Sequence, residues 1–380
     1  MKTKPSLWQM VMLLMFPQIA ETIYSPALTS ISDAYSVSYA QAAQTLSIYF
    51  GAFALGVVVW GILADYWGRR PTMLLGLLLF VVAACLAITT ENFTVLMLAR
   101  ALSAFGIAVG SVVTQTMLRD IFTGEELAKV FAYMGIGISI SPVIGMLLGS
   151  QLNVLGGHQW VFVALLTMAL IALLHSLFKL PETQQSQPSV RLKPLALAMF
   201  IDRRIWLSAL LVSAYNVALF SYYQLGAFTF TQIGLSNEQY GYSGVVLGLG
   251  TLIGSYLNKA LLARGRTSTQ LLNLAALLLV AGGIGVWLTQ QQVVFLLPMM
   301  LVVMSFGIAI PNVLSKALVD YRAQIGSAGA LFGLLYYLLI GAGLSLVGVG
   351  QDLGMSLTVC GLIAVFATYL HQMMTTSLKS

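Results

Sequence analysis

A short charged segment joins two long apolar runs near the start of the chain: Gly61-Ile-Leu-Ala-Asp65-Tyr-Trp-Gly68-Arg69-Arg70-Pro71. The runs on either side, 40–64 and 71–90, reach the length of about 20 residues that a helix needs to cross a hydrocarbon core of about 30 Å. The two glycines allow a tight reversal, and arginines gather in cytoplasmic loops. The segment therefore predicts a helical hairpin that crosses a membrane twice and turns in the cytoplasm.

The composition extends this prediction to the whole chain. Of its 380 residues, 59% are hydrophobic and only 8% are charged, whereas a soluble domain carries about 25% charged residues. So few charges cannot cover a water-facing surface, so most of the surface must face the lipid bilayer. The net charge of +6 does not indicate nucleic-acid binding, because the basic residues are spread thinly. The fold class predicted is an all-α polytopic membrane protein.

Turn residues and charges divide the chain into twelve apolar runs, and hence twelve predicted transmembrane helices. The predicted spans are 7–28, 40–64, 71–90, 93–118, 127–152, 160–180, 205–230, 239–263, 268–289, 293–318, 326–350 and 354–374.

The longest polar stretch divides these spans into two equal groups. We predict an N-terminal six-helix bundle over 1–180, a cytoplasmic linker over 181–204 and a C-terminal six-helix bundle over 205–380. Two six-span halves are typical of transporters built from repeated bundles, with a binding site near the middle of the membrane.

The positions of the basic residues predict the orientation. With the N-terminus inside, all but one of the 18 Lys and Arg residues fall at or near the inner face, and the remaining one, Arg100, lies within a span. The predicted outer loops carry acids such as Asp33, Glu91 and Glu238 but no Lys or Arg. By the positive-inside rule, both termini are expected in the cytoplasm.

The opening segment resembles the loop signature of the major facilitator superfamily, Gly-x-Leu-x-Asp-x-x-Gly-Arg-Arg, at every defined position. The resemblance implies a fold of two pseudo-symmetric six-helix bundles that transports small molecules by alternating access. It also implies a role in the inner gate for Asp65, Gly68, Arg69 and Arg70. The corresponding loop of the second half, 254–259, has lost the acid, so no gating role is expected there.

Two segments inside spans carry the same resemblance. Arg100-Ala-Leu-Ser-Ala104-Phe-Gly106 is similar to the Arg-x-x-x-Gly-x-Gly motif of span 4, with Ala104 in place of a glycine. Gly137-Ile-Ser-Ile-Ser141-Pro142-Val-Ile-Gly145 in span 5 is similar to the antiporter signature Gly-x-x-x-Gly-Pro-x-x-Gly, with Ser141 in place of a glycine. These small residues and the proline imply a kinked, closely packed span 5.

Three shorter segments point to drug exporters. Leu180-Pro181-Glu182-Thr183 follows span 6 as it does in such proteins. Glu21-Thr-Ile-Tyr24-Ser-Pro26-Ala-Leu28 resembles the Asp-x-Tyr-x-Pro-Ala-Leu of the bicyclomycin/chloramphenicol resistance (Bcr/CflA) branch, with Glu21 in place of Asp. Leu118-Arg119-Asp120 fits the same branch, which adds Asp120 to the expected gate.

Two charged residues lie inside predicted spans, Glu21 in span 1 and Arg100 in span 4. Each lies about 10 Å below the outer surface at 1.5 Å per residue, which predicts a facing pair or a shared hydrated cavity. Charges inside spans cost several kcal/mol and usually serve a function. We predict that the two residues couple transport to protons, although a purely structural ion pair is the alternative.

Aromatic and amide side chains inside spans are candidates for substrate binding, because a pocket for partly apolar compounds needs large apolar surfaces with a few polar groups. A belt of tyrosines at the membrane interface is the alternative explanation. The candidates are Tyr24, Tyr49, Gln115, Asn216, Tyr223, Asn312 and Tyr336.

The sequence predicts a proton-coupled multidrug efflux antiporter of the bacterial inner membrane, monomeric and with no cofactor besides the proton. No histidine spacing indicates a metal site, and no phosphate-binding loop or catalytic constellation indicates an enzyme. An exporter of one natural metabolite such as a siderophore remains open. An uptake symporter is disfavoured by the span 5 signature.

Overall fold

The computed structural model describes residues 5–184 and 192–376, and all regular structure within those ranges is helical. Four of the basic residues used to predict orientation, Lys2, Lys4, Arg191 and Lys379, lie outside the described residues, as does the middle of the predicted linker.

Helices in the first half follow the predicted spans closely. Their bounds are Leu7–Thr22, continued by a 3-10 turn at Ser25–Ala27 and by Leu28–Ala34, then Tyr39–Trp67, Arg69–Thr89, Phe93–Ile121 and Gly124–Lys179. The last of these is interrupted by non-helical backbone at Gly156 and Gly157, so it comprises spans 5 and 6.

Helices in the second half begin with a short one, Leu192–Ile201, that is not a span. The spans are Arg203–Gln232, Asn237–Ala263, Ser268–Thr289, Leu296–Ala317, Ile325–Gly350 and Leu353–Thr376, with 3-10 turns at Val293–Phe295 and Val319–Gln324. In the described part of the chain, eleven helical segments are long and apolar enough to cross a membrane. Since Gly124–Lys179 supplies two spans, the prediction of twelve is confirmed.

Contacts group the described residues into two compact units. The first holds residues before position 185 except 39–44, and the second holds 39–44 with the residues from 192 onward. Each unit has its own buried apolar core. In the second unit span 7 is the most enclosed helix, with side chains such as Ala209, Tyr215 and Tyr222 fully buried.

Span 1 is longer than predicted. The predicted span ended at Leu28, but after the 3-10 turn the helix continues to Ala34, and Ser30 in this extension donates to Asn153 Oδ1 on span 5 at 2.6 Å. Asp33, predicted in an outer loop, therefore lies in the last turn of this helix. The depth of about 10 Å predicted for Glu21 stays a prediction, because the end of a helix does not mark the membrane surface.

The predicted linker is not entirely a polar loop. Its later part forms the helix Leu192–Ile201, which buries Leu195 and Met199 and packs on spans 7 and 11. At ten residues this helix is too short to cross a membrane. Asp202 then caps span 7, accepting a hydrogen bond from the backbone N–H of Arg204 at 2.9 Å.

Span 5 packs on span 1 through the small residues of the antiporter-like segment. Gly145 and Gly149 face the backbone of span 1 at Thr22 and Ile23, and Gly137 faces Met15. Ser141 is fully buried and donates its hydroxyl proton to the carbonyl of Gly137 in its own helix, at 2.8 Å. A serine therefore fits where the motif has glycine, and the close approach fixes the part of span 1 that carries Glu21.

Replacing Gly149 with alanine tests this packing. The added Cβ would lie 2.8 Å from the carbonyl carbon of Ile23 and closer still to its oxygen, and backbone cannot move aside as a side chain can. We expect a loss of about 1–3 kcal/mol in the free energy of unfolding, the usual cost of overpacking. Thermal unfolding of the purified protein in detergent measures the loss.

Gly135 provides the matched control, because it lies in the same helix and has nothing within 4 Å of an added Cβ. Gly135→Ala is expected to be neutral or to stabilise by up to about 1 kcal/mol, since alanine is the better helix former. Equal effects of the two substitutions would contradict the proposed close contact.

Candidate functional site

Among the described charged residues of the first unit, Arg100 is the most deeply enclosed, with 1% of its surface exposed. The carbon of its guanidinium lies 3.7 Å from the ring centroid of Tyr24 and 4.6 Å from that of Tyr49. Span 1 brings Tyr24 and span 2 brings Tyr49, so residues of three spans meet here. A cation over an aromatic face is stabilised by the ring quadrupole, and more strongly when water is excluded.

Glu21 lies one helical turn before Tyr24 and is 5% exposed. Its charge and that of Arg100 are within electrostatic range of one another. Among the described residues, however, no hydrogen bond or ion pair shorter than 4 Å joins the two. The structure thus brings Glu21, Arg100 and Tyr24 together and adds Tyr49, which the sequence offered only as a candidate substrate residue. Aromatic rings lie over Arg100 where a direct ion pair was one expectation.

Several polar atoms of this cluster have no hydrogen-bond partner in the described structure: Oε1 of Glu21, Nε and Nη2 of Arg100, and the hydroxyl of Tyr49. Buried polar groups are rarely left so, because each costs about 1–3 kcal/mol. A cavity of about 10 Å³ adjoins Arg100 among alanines of spans 3 and 4, which is about the volume that one water needs. The cluster can therefore accept a proton, a water or a polar group of a ligand.

Local sequence explains how Arg100 is presented. Asn92 caps span 4 by accepting hydrogen bonds from the backbone N–H groups of Thr94 and Val95, at 2.8 and 3.3 Å. Further along, Gly106 packs directly on the backbone of span 3 at Gly76. The start of span 4 and its close contact with span 3 together set the height and direction of Arg100.

One other predicted substrate residue, Gln115, belongs to the first unit but is not part of the Arg100 cluster. Gln115 is about 22 Å along span 4 from Arg100 at 1.5 Å per residue, and its amide donates to Ser111 at 3.4 Å. In the second unit, Asn216 donates to the carbonyl of Val212 in its own helix, at 2.8 Å. Tyr223 and Tyr336 belong to separate aromatic groups, with Phe220 and Phe332 as respective neighbours.

Asn312 lies in a contact between two helices of the second unit. It is 3% exposed, and its amide donates to Asn258 Oδ1 on span 8 at 2.6 Å and to the carbonyl of Ile308 at 2.8 Å. Both amide protons are therefore used in helix packing, and the role of Asn312 in substrate binding stays a prediction.

The predicted gate residues form a second cluster, around Arg69. Its Nη1 lies 2.9 Å from Asp65 Oδ1, and its Nε lies 2.9 Å from Asp120 Oδ2. Arg69 is 5% exposed and thus links spans 2, 3 and 4 at one buried point. Arg70 points elsewhere and donates to the carbonyl of Leu177, at 2.7 Å.

Glu182 completes this cluster, and the sequence reasoning assigned it no role. Its carboxylate accepts the backbone N–H groups of Arg69 and Arg70, each at 3.0 Å, and so caps the start of span 3. Partial burial alone would raise the pKa of Glu182, but these bonds and those from the N–H groups of Gln184 and Thr183 lower it below its ordinary value. The feature of the sequence that could have indicated a role for Glu182 was the 180–183 segment, which is similar to drug exporters.

Gly68 is required at the turn for two reasons. Its φ of 101° lies in the left-handed region that favours glycine, and an added Cβ would meet Glu182 Oε2 at 2.6 Å. Gln184 donates to the carbonyl of Asp65, just before this turn, at 2.6 Å, and Thr183 donates to Asp120 Oδ2, at the end of span 4, at 3.1 Å. The chain after span 6 is thereby tied to the loop between spans 2 and 3.

Arg69→Lys tests the loop cluster. Lysine keeps the charge but lacks the fork that reaches two carboxylates at once. Asp65 is 42% exposed and contributes little, so we expect a loss of about 1–2 kcal/mol in unfolding free energy, mainly from the Asp120 arm. Thermal unfolding measures it, with Arg70→Lys as the control in the same loop. A cost for Arg70→Lys as large as for Arg69→Lys would contradict this assignment.

Tyr24→Leu and Tyr24→Phe test the ring that covers Arg100. Phenylalanine keeps the aromatic face, so we expect it to unfold close to the wild type. Leucine removes the face, at a cost of about 2 kcal/mol beyond the change in packing. Repeating both substitutions with Arg100→Met completes a double-mutant cycle. The difference between leucine and phenylalanine should shrink there, and a difference that persists would show that packing alone is responsible.

Comparison with known proteins agrees with this architecture. A profile described as Major Facilitator Superfamily matches residues 10–345. The chain is 30% identical over 357 residues to an uncharacterized transporter of Rickettsia bellii (strain RML369-C), covering 88% of this chain and 87% of that protein. It is 24% identical over 334 residues to the bicyclomycin resistance protein homolog of Haemophilus influenzae (strain ATCC 51907 / DSM 11121 / KW20 / Rd), covering 84% and 82%.

A shorter match covers Multidrug resistance protein D of Escherichia coli (strain K12), 29% identical over 162 residues, which is 43% of this chain and 41% of that protein. Among solved structures, the crystal structure of a D-xylose-proton symporter superposes with a TM-score of 0.76 at 14% identity, covering 96% of both chains. That likeness concerns the fold alone. The twelve spans, the loop cluster and the matched family profile together show that this chain is a multi-pass membrane transporter, and not an enzyme, of the major facilitator superfamily.

Proposed function

We propose that this transporter is a proton-coupled antiporter that exports small, partly apolar compounds by alternating access. It would act as a monomer in a bacterial inner membrane with both termini in the cytoplasm, and the proton would be its coupling ion without any cofactor. The observation that carries the proposal is the enclosed carboxyl of Glu21 beside Arg100, with Oε1 lacking a hydrogen-bond partner.

An acid inside a span is costly when charged and unpaired. Glu21 has no bonded counter-ion among the described residues, and protonation is the simplest way to remove that cost. Arg100 acts in the opposite direction, since its positive charge favours the carboxylate. A small change in the distance between them, or in the access of water, would then shift Glu21 between its two forms.

The transport cycle follows from this balance. A deprotonated Glu21 attracts a cationic or polar group of a substrate, and protonation from the outer side releases it. Each inward-moving proton is driven by about 2.3 kcal/mol per 100 mV of membrane potential. Tyr24 and Tyr49 supply aromatic surface beside the charged pair, as a pocket for partly apolar compounds requires.

Export of drugs is supported by the names of two relatives, a multidrug resistance protein and a bicyclomycin resistance protein homolog. The close packing of span 5 on span 1 also supports antiport, because it holds the helix that carries Glu21 in close contact with its neighbour. The other proposed substrate residues are Gln115 in the first unit and Asn216, Tyr223, Asn312 and Tyr336 in the second. Asp65, Gly68, Arg69, Arg70 and Asp120 remain proposed gate residues.

Glu21→Gln tests the coupling. Glutamine has almost the same shape as glutamate but cannot exchange a proton. We therefore expect uptake of ethidium or chloramphenicol into proteoliposomes that hold the protein inside-out to stop responding to an imposed pH gradient. Glu21→Asp should retain the response, since a carboxyl remains. Glu91→Gln, at an exposed acid near the start of span 4, is the control for removing a charge.

The result that would sink the proposal is gradient-driven transport by Glu21→Gln at the wild-type rate. Proton release on adding either compound to the detergent-solubilised protein provides a second measurement, and it should disappear in Glu21→Gln but not in Glu91→Gln.

A further inference from the structure

A groove on the first unit lies apart from both clusters described above. Span 1 lines it with seven side chains between Trp8 and Ile19, and span 6 with five between Met168 and Ser176. Several of these side chains are apolar and exposed, including Trp8 at 69%, Met12 at 45% and Ile171 at 58%. We expect such an exposed apolar surface on membrane-spanning helices to face the lipid.

Two buried polar side chains, Gln9 and Ser176, line this apolar groove. Gln9 is 3% exposed, and its Nε2 donates to Ser176 Oγ at 3.5 Å, which is a long bond. Its carbonyl oxygen, Oε1, has no partner in the described structure. A buried amide oxygen without a donor costs about 1–3 kcal/mol, and a ligand that brings an N–H or O–H group would remove that cost.

The size of the groove limits what can bind. Its volume is about 160 Å³, close to the volume of about 150 Å³ at which an apolar protein cavity takes up benzene. Three of the lining residues are Met12, Met15 and Met168, whose thioethers adapt their shape and make favourable contacts with aromatic edges. The space therefore fits one aromatic ring.

We propose that this groove is a binding site for a membrane-dissolved aromatic molecule with a single N–H or O–H donor, which Gln9 Oε1 accepts. His175 and Ser176 supply the other polar groups of the lining. The site is separate from Glu21 and Arg100, and the proposal does not depend on proton coupling.

Fluorine NMR on the full chain in lipid nanodiscs tests the site, with 4-fluorophenol as the donor probe and 4-fluorotoluene as its counterpart without a donor. Empty nanodiscs measure partition into lipid. Gln9→Leu should weaken 4-fluorophenol binding by about threefold to tenfold, the worth of one hydrogen bond, and should leave 4-fluorotoluene binding unchanged. The unchanged probe shows at the same time that the groove still folds.

Ala172→Trp fills the groove and should abolish the protein-specific binding of both probes. Ala164→Trp is the matched control, at a partly buried alanine on the same span outside the groove, and should affect neither probe. Binding no greater than in empty nanodiscs, or an equal loss of both probes in Gln9→Leu, would overturn the proposal. The same measurement on Glu21→Gln should give wild-type binding, so failure here and failure of the proposed coupling are distinguishable.

Discussion

A buried guanidinium held by aromatic faces is the constraint on which the first unit depends. Arg100 must be enclosed because spans 1, 2 and 4 meet around it, yet none of the described carboxylates bonds to it. A direct ion pair with Glu21 would stabilise one geometry and fix the acid in its charged form. Two ring faces stabilise the cation without using Glu21, which leaves the acid free to change its protonation as the distance to Arg100 changes.

This arrangement depends on close packing between spans 1 and 5, which the glycines of span 5 allow. Gly145 and Gly149 let span 5 approach the backbone of span 1 at Thr22 and Ile23, the turn between Glu21 and Tyr24. In lipid, helices gain little from the hydrophobic effect when they associate, so close van der Waals packing of small residues becomes a major source of stability. The antiporter-like segment of span 5 and the acid of span 1 are thus parts of one contact.

Sequence reasoning succeeded where the physical signal was strong and local. Runs of about 20 apolar residues predicted twelve spans, and the meeting of Tyr24 with the charged pair followed from one helical turn. It failed where partners are distant in sequence. The extension of span 1 beyond Leu28 contacts Asn153 on span 5, and the role of Glu182 depends on the start of span 3, more than a hundred residues earlier. The use of rings to hold Arg100 depended on Tyr49, whose direction no spacing predicts.

The two units also differ in the interactions found at corresponding positions. In the first, Arg69 joins two carboxylates and Glu182 caps the helix that follows, so the contacts are charged. At the corresponding place in the second, Asn258 stands instead of an acid and binds Asn312 on span 10 at 2.6 Å. Bonds between ionised groups are roughly twice as strong as neutral ones, but they weaken as salt or protons screen or neutralise the charges. The charged cluster of the first unit should therefore weaken with salt or with a change of pH, whereas the neutral amide pair between spans 8 and 10 should not.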